Sequence, residues 1–162
     1  MILAGDIGGT KCNLAVFEER GSSLQLAFKR RYATREFSGL EELIERFFRE
    51  CVAESGRMPK GNISAAGFGV AGAVVDGRLV ANNIPWELTA SALAPKLGLY
   101  LEQLSLINDL VATAYGLVHL APEDFLVLNP GTPQFNGNQA LIAAGTGLGE
   151  ARINGYWKTS WG

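Results

Sequence analysis

Apolar residues cluster early in the chain into three short runs, Ile2 to Gly5, Cys12 to Phe17 and Leu24 to Tyr32, separated by Gly8-Gly9 and by Gly21-Ser22-Ser23. Runs of this length punctuated by glycine and serine predict an antiparallel meander. The period then changes. Phe37, Leu40, Leu43, Ile44, Phe47, Phe48 and Cys51 recur three and four residues apart, which winds them onto one stripe of a helix. Ser38 and Glu41 supply a capping box at its start, and Gly56 closes it.

Ile63 to Val70 is small and apolar, with glycines that let a neighbour come close, and predicts a buried strand. Asp76-Gly77 marks a hairpin inside Val74 to Val80. Thr89 to Leu97 reads as a helix that Pro95 kinks or ends. Leu104 to Ile107 is a further strand, and Asp109 to Leu120 carries Leu110, Ala114, Leu117 and Val118 at helical spacing. The order is three strands, helix, strand, helix, strand, helix, which predicts an α/β domain. Beyond Pro122 the pattern predicts a short strand at Phe125 to Leu128. A second strand, glycine turn and strand then follow over Ala140 to Ile153, around Gly145-Thr146-Gly147-Leu148-Gly149. A lone hairpin is marginal in water, so this unit is expected to need packing partners.

Composition narrows the setting. The net charge is −2 over 162 residues and the 14 lysines and arginines are scattered, which argues against a nucleic-acid partner. Lys29-Arg30-Arg31, the single basic cluster, fits a surface strand end. Cys12 and Cys51 are far apart and read as reduced core thiols of a cytosolic protein. No apolar run reaches the eighteen or so residues of a membrane span, and Asp6 interrupts the first run too early for a signal peptide. A soluble, cytoplasmic protein that does not act on a membrane is expected.

Three constellations carry candidate chemistry. In Asp6-Ile7-Gly8-Gly9-Thr10-Lys11 the glycines let backbone N–H groups approach a phosphate, Thr10 and Lys11 add a hydroxyl and a charge, and Asp6 is placed to hold a metal-bound water. Gly8-Gly9 would equally serve a plain hairpin turn. Gly145, Thr146 and Gly147 repeat the arrangement, so the two turns could clamp a polyphosphate from two sides. Asn108-Asp109 stands where a strand passes into a helix. An Asn or Asp there is also an ordinary cap, yet a carboxylate at a helix N-terminus on a sheet's C-terminal edge is placed to accept a proton from a substrate hydroxyl. In Asn82-Asn83-Ile84-Pro85-Trp86, an amide suits sugar hydroxyls and the indole either walls such a pocket or lies half-buried at the next helix.

Taken in this order and at these separations, Ala4 to Lys11, Asn83 with Trp86, Leu106-Ile107-Asn108-Asp109-Leu110 and Ala144 to Gly149 resemble the bacterial glucokinases of the sugar kinase/actin/heat-shock ATPase superfamily, over essentially the whole chain. The resemblance implies ATP-dependent, Mg2+-assisted phosphorylation of glucose at its 6-hydroxyl, in a cleft between two ribonuclease-H-like (actin-like ATPase) domains. It implies Asp6, Gly8, Gly9, Thr10 and Lys11 as the first phosphate loop, with Mg2+ held by Asp6 through water. Gly145, Thr146 and Gly147 become the second loop, Asp109 the catalytic base, and Asn108, Asn83 and Asp109 sugar ligands. The fold expected is a mixed five-stranded sheet with flanking helices over residues 1–122, followed in 123–162 by the first hairpin of a second, similar domain.

The Glu-Gly-Gly-His sugar contact and the adenosine-binding segment of that family have no counterpart here. The chain is therefore expected to be the N-terminal part of a parent roughly twice as long, and to be inactive alone. A kinase of a related hexose or of N-acetylmannosamine, and a sugar-sensing repressor of the same fold, remain as alternatives. Met1 opening the first strand, where such repressors carry a helix-turn-helix, weighs against the repressor. The residues leave a homodimer open.

Overall fold

The computed structural model describes residues 1–21, 23–80, 84–132, 137–144 and 148–153, which fall into two compact units, Met1–Asp109 and Leu110–Gly162.

The first unit is built on the predicted meander. Strands β1 (Ile2–Ile7), β2 (Lys11–Arg20) and β3 (Ser23–Ala33) pair antiparallel in succession, with a bulge in β3 at Ala27, opposite Val16 and Phe17. Helix α1 (Leu40–Ser55) crosses over to β4 (Ala65–Val70), which lies parallel to β1. A small hairpin follows, β5 (Ala73–Val75) and β6 (Arg78–Val80), turning at Asp76 and Gly77 with φ of 50° and 70°. Both sit in the left-handed region that Asp-Gly turns favour. Helix α2 (Ala90–Lys96) then leads to β7 (Leu104–Asn108), parallel to β4, so the five-stranded sheet runs β3-β2-β1-β4-β7.

Alternation along the strands decides which face is covered. Leu3 and Ile7 of β1, Cys12, Leu14 and Val16 of β2, and Ala66, Phe68 and Val70 of β4 are buried together with Leu40, Leu43, Ile44, Phe47, Phe48 and Cys51 of α1. The Phe28 and Phe47 rings lie 5.5 Å apart, and Tyr32 meets Phe37 edge-on at the same distance. Helix α2 adds Ala90, Leu93 and Ala94 to this core. The predicted helical stripe is thus the one that seals the sheet. Both cysteines are buried and unbridged, as expected.

Two local expectations are corrected within this unit. The capping residue at α1 is Gly39, and the Ser38 N–H and Oγ both donate to Glu42, at 2.9 and 2.8 Å, rather than pairing with Glu41. Because the helix begins one residue later, Glu42 is the carboxylate that reaches back, while Glu41 accepts from Lys96 Nζ at 2.8 Å. Trp86 is buried, with its indole N–H donating to the Phe37 carbonyl at 3.0 Å, so it braces the core more deeply than a half-buried position at the next helix would. Pro95 does close its helix: α2 ends one residue later, and Thr89 caps its start by accepting from the Ala92 N–H at 3.3 Å.

Helix α3 (Asp109–Leu117) opens at the last residue of the first unit and ends short of the predicted Leu120. The stretch Phe125 to Leu128 forms no strand. Leu126 and Leu128 are 83% and 87% exposed, and no strand among the described residues pairs with this stretch. Strands β8 (Gln139–Ala144) and β9 (Leu148–Ile153) pair antiparallel from Gln139↔Ile153 to Ala144↔Leu148, the predicted hairpin.

Candidate functional site

The three parallel strands end level. Ile7 of β1 is paired with Val70 of β4, and Val70 with Asn108 of β7, so the turn after β1 and the Asn108-Asp109 step emerge on one carboxyl edge of the sheet. Two strand spacings, about 10 Å, separate β1 from β7, which leaves room for a transferring phosphoryl group. The loop after β4 joins the two sides: the Ala71 N–H donates to the Ile7 carbonyl at 2.9 Å, and the Gly72 carbonyl accepts from Asn108 Nδ2 at 3.0 Å.

Asn108 Nδ2 also donates to Asp109 Oδ1, at 2.9 Å. An amide nitrogen carries two N–H donors, and both are committed here. The same bond orients the Asp109 carboxylate at the first residue of α3. Sequence reasoning placed this pair correctly as a strand-to-helix step, and the structure adds the loop that aims it.

The turn Gly8 to Lys11 is more than a hairpin loop. The Gly8 N–H donates to the Lys11 carbonyl at 3.1 Å, but the Gly8 carbonyl accepts from Thr34 Oγ at 2.7 Å, with Cys12 Sγ 3.8 Å away. The Thr34 N–H in turn donates to the Thr10 carbonyl at 3.0 Å. Thr34 is fully buried, and its hydroxyl lies 3.3 Å from Cys12 Sγ. Burial pushes the Cys12 thiol up, against its hydrogen bonds with the Thr34 hydroxyl and to the Gly8 carbonyl. A Cβ on Gly8 would lie 2.9 Å from the Lys11 carbonyl oxygen, so this position is closed to side chains. Thr10 and Lys11 are exposed.

Asp6 lies on the sheet face opposite α1, beside a concavity of about 490 Å³ also lined by Ala4, Asn13, Ala15, Lys29 and Arg31. Its Oδ2 accepts from Asn13 Nδ2 at 2.8 Å, and Asn13 Oδ1 accepts from Arg31 Nε at 2.9 Å. The three stand in register, Asp6 opposite Asn13 and Asn13 opposite Arg31, on neighbouring strands. Mg2+ retains several waters and takes one or two carboxylates along with substrate phosphates, and an exposed, pre-oriented Asp6 beside the turn fits that manner of binding. Asn13 and Thr34 were not singled out in the sequence, and Arg31 only within the basic cluster Lys29-Arg30-Arg31. Asn13 and the pairing of Arg31 with it were accessible through strand alternation and register, whereas nothing local marks Thr34.

Of the other predicted residues, Asn83, Gly145, Thr146 and Gly147 lie outside the described residues. Asp6, Gly8, Gly9, Thr10, Lys11, Asn108 and Asp109 are brought to one edge of the first unit.

A family model described as Glucokinase matches residues 3–160. Among curated relatives, the glucokinase of Synechocystis sp. is 35% identical over 156 residues, covering 93% of this chain and 43% of that protein. That of Nostoc sp. is 36% identical over 155 residues, covering 93% and 42%. The chain therefore spans under half the length of these relatives. Among solved structures, a glucokinase from an Antarctic psychrotroph superposes with a TM-score of 0.75 at 24% identity, over 98% of this chain and 47% of that one. A ROK hexokinase from Thermus thermophilus gives 0.62 at 22%, over 95% and 47%. These structures carry the fold, the mixed-sheet actin-like ATPase architecture that the motifs implied. Since the family model spans nearly all of its residues, the chain belongs to the glucokinase family.

Proposed function

We propose that the full-length protein phosphorylates glucose with ATP to give glucose 6-phosphate. The observation that carries this reading is the shared carboxyl edge of β1, β4 and β7, on which a glycine turn suited to phosphate and a carboxylate held by Asn108 both stand. Phosphoryl transfer proceeds largely through positioning and charge neutralisation, so these are the parts it needs. Gly8 to Lys11 bind the nucleotide's terminal phosphates, with Gly145, Thr146 and Gly147 as the second turn. Asp109 takes the proton from the sugar 6-hydroxyl as its oxygen attacks phosphorus, and Asn108 and Asn83 bind and orient the sugar. Mg2+, when bound near Asp6, supplies charge neutralisation at the phosphates.

In this reading residues 1–122 form the small domain and residues 123–162 begin the larger one, and the enzyme works in the cytoplasm. No helix among the described residues is long and apolar enough to cross a membrane. A coupled assay on the full-length protein tests the activity: ATP-dependent glucose 6-phosphate formation on the order of 1–10³ s⁻¹ is expected. A clear preference for fructose or N-acetylmannosamine over glucose would move the assignment to a related sugar kinase. No turnover with any sugar would overturn it.

A further inference from the structure

We propose that Thr34 is a positioning residue for nucleotide binding, holding the Gly8 to Lys11 turn open toward phosphate through its hydroxyl and its backbone N–H. The inference rests on the reading of that turn as a phosphate loop.

Thr34 lies 26 residues beyond Gly8, at the start of the 3-10 turn Thr34–Glu36 that follows β3, and it reaches two separate peptide groups of the glycine turn. Its Oγ–H donates to the Gly8 carbonyl at 2.7 Å and its N–H to the Thr10 carbonyl at 3.0 Å. The peptide bonds here are trans, and in a trans peptide the C=O and the following N–H point in opposite directions. Drawing the Gly8 oxygen to a fully buried hydroxyl on the α1 side of the sheet therefore sends the Gly9 N–H to the opposite side, where Asp6 is exposed. Binding the Thr10 oxygen to β3's end likewise turns the Lys11 N–H away from β3 into the mouth of the turn. Among the described residues, neither Gly9 nor Thr10 donates its N–H to another backbone carbonyl.

An ordinary two-residue hairpin would close by a bond from Lys11 N–H to Gly8 C=O; among the described residues that bond is not made, and the oxygen accepts from Thr34 instead. The hydroxyl thus decides between a closed hairpin and an open anion cradle. Cys12 Sγ, 3.8 Å from the same oxygen, is a weak substitute, since a thiol donates poorly.

The test compares Thr34→Val, which keeps the shape and loses the hydroxyl, with Thr34→Ser, which keeps the hydroxyl, in the full-length protein. Thr34→Val should raise the nucleotide KM about tenfold, the loss of one buried hydrogen bond, while the glucose KM stays within about twofold. Thr34→Ser should restore the nucleotide KM to within about twofold of wild type. Thermal melts verify the fold, and should Thr34→Val melt below the assay temperature, Thr34→Cys takes its place with the same expected ordering. An unchanged nucleotide KM in the folded variant, or equal shifts for both substrates, would overturn the positioning role while wild-type activity left the parent reading intact. Loss of sugar phosphorylation in the wild type would remove both.

Discussion

The chain contains the same local pattern twice, strand, glycine turn, strand, and the two copies are supported very differently. β1 and β2 are interior strands of a five-stranded sheet, with Leu3, Ile7, Cys12, Leu14 and Val16 sealed under α1. β8 and β9 form a two-stranded ribbon whose Ile142 and Leu148 are 64% and 67% exposed. In the first copy a residue distant in sequence, Thr34, sets the direction of the turn's peptide groups. A glycine motif therefore states that the backbone is able to open toward an anion, and the surrounding packing determines whether it does.

The largest effect is expected at the edge that the first copy shares with β7. Asp109→Asn in the full-length protein should lower turnover by about 10²–10⁴-fold, the usual contribution of a general base, with the glucose KM nearly unchanged. Turnover within a few-fold of wild type would take the chemistry away from this edge.

Core truncation contrasts the two regions directly. In the 162-residue chain, Phe47→Ala, at a fully buried position, should cost about 3–5 kcal/mol, whereas Ile142→Ala should stay within about 0.5 kcal/mol. Denaturant melts measure both. Similar costs would show that the hairpin is as firmly packed as the sheet.

The paired glycines sharpen it further. Alanine at Gly8 meets the Lys11 carbonyl oxygen at 2.9 Å, a backbone atom that cannot move without changing the turn, so the nucleotide KM should rise about tenfold. Alanine at Gly149 meets Leu110 Cδ1 at 2.5 Å, the far end of a side chain, and rotation of Leu110 should absorb it for about 0.5–1.5 kcal/mol of stability. Equal effects on nucleotide KM would show that the two positions tolerate a side chain alike.

The smallest effect concerns the helix that seals the first region. Hydrogen bonds from the Ser38 N–H and hydroxyl hold the Glu42 carboxyl below its ordinary range. A depressed carboxylate stabilises the fold above its unfolded-state value, about 4.3, and that contribution is lost as the pH falls through the lower folded value. The melting-temperature gap between wild type and Glu42→Gln should therefore be present at neutral pH and close below about pH 4. A gap of constant size down to pH 3 would show that the bonds to Ser38 carry no ionic contribution.

Local pattern was enough for much of this molecule. The period change from strands to α1 followed from where Phe37 to Cys51 fall. The turn at Asp76-Gly77 followed from residues that tolerate positive φ, and the step at Asn108-Asp109 from cap chemistry. Those features depend on interactions within a few residues, so the order of letters determines them. The stretch from Phe125 to Leu128 has strand-like residues and no strand, because a strand exists only by pairing with another. Ser38 bonded Glu42 and not Glu41 because Gly39, and not Ser38, takes the capping position of α1. The long-range contacts were hidden as well. Trp86 gives its N–H to Phe37 across 49 residues, and Thr34 turns a loop 26 residues away. The sequence by itself determined which elements form and which residue types are available to bind phosphate and move a proton. Only the tertiary structure decided which way those groups point, because direction comes from contacts between segments that chain order does not place together.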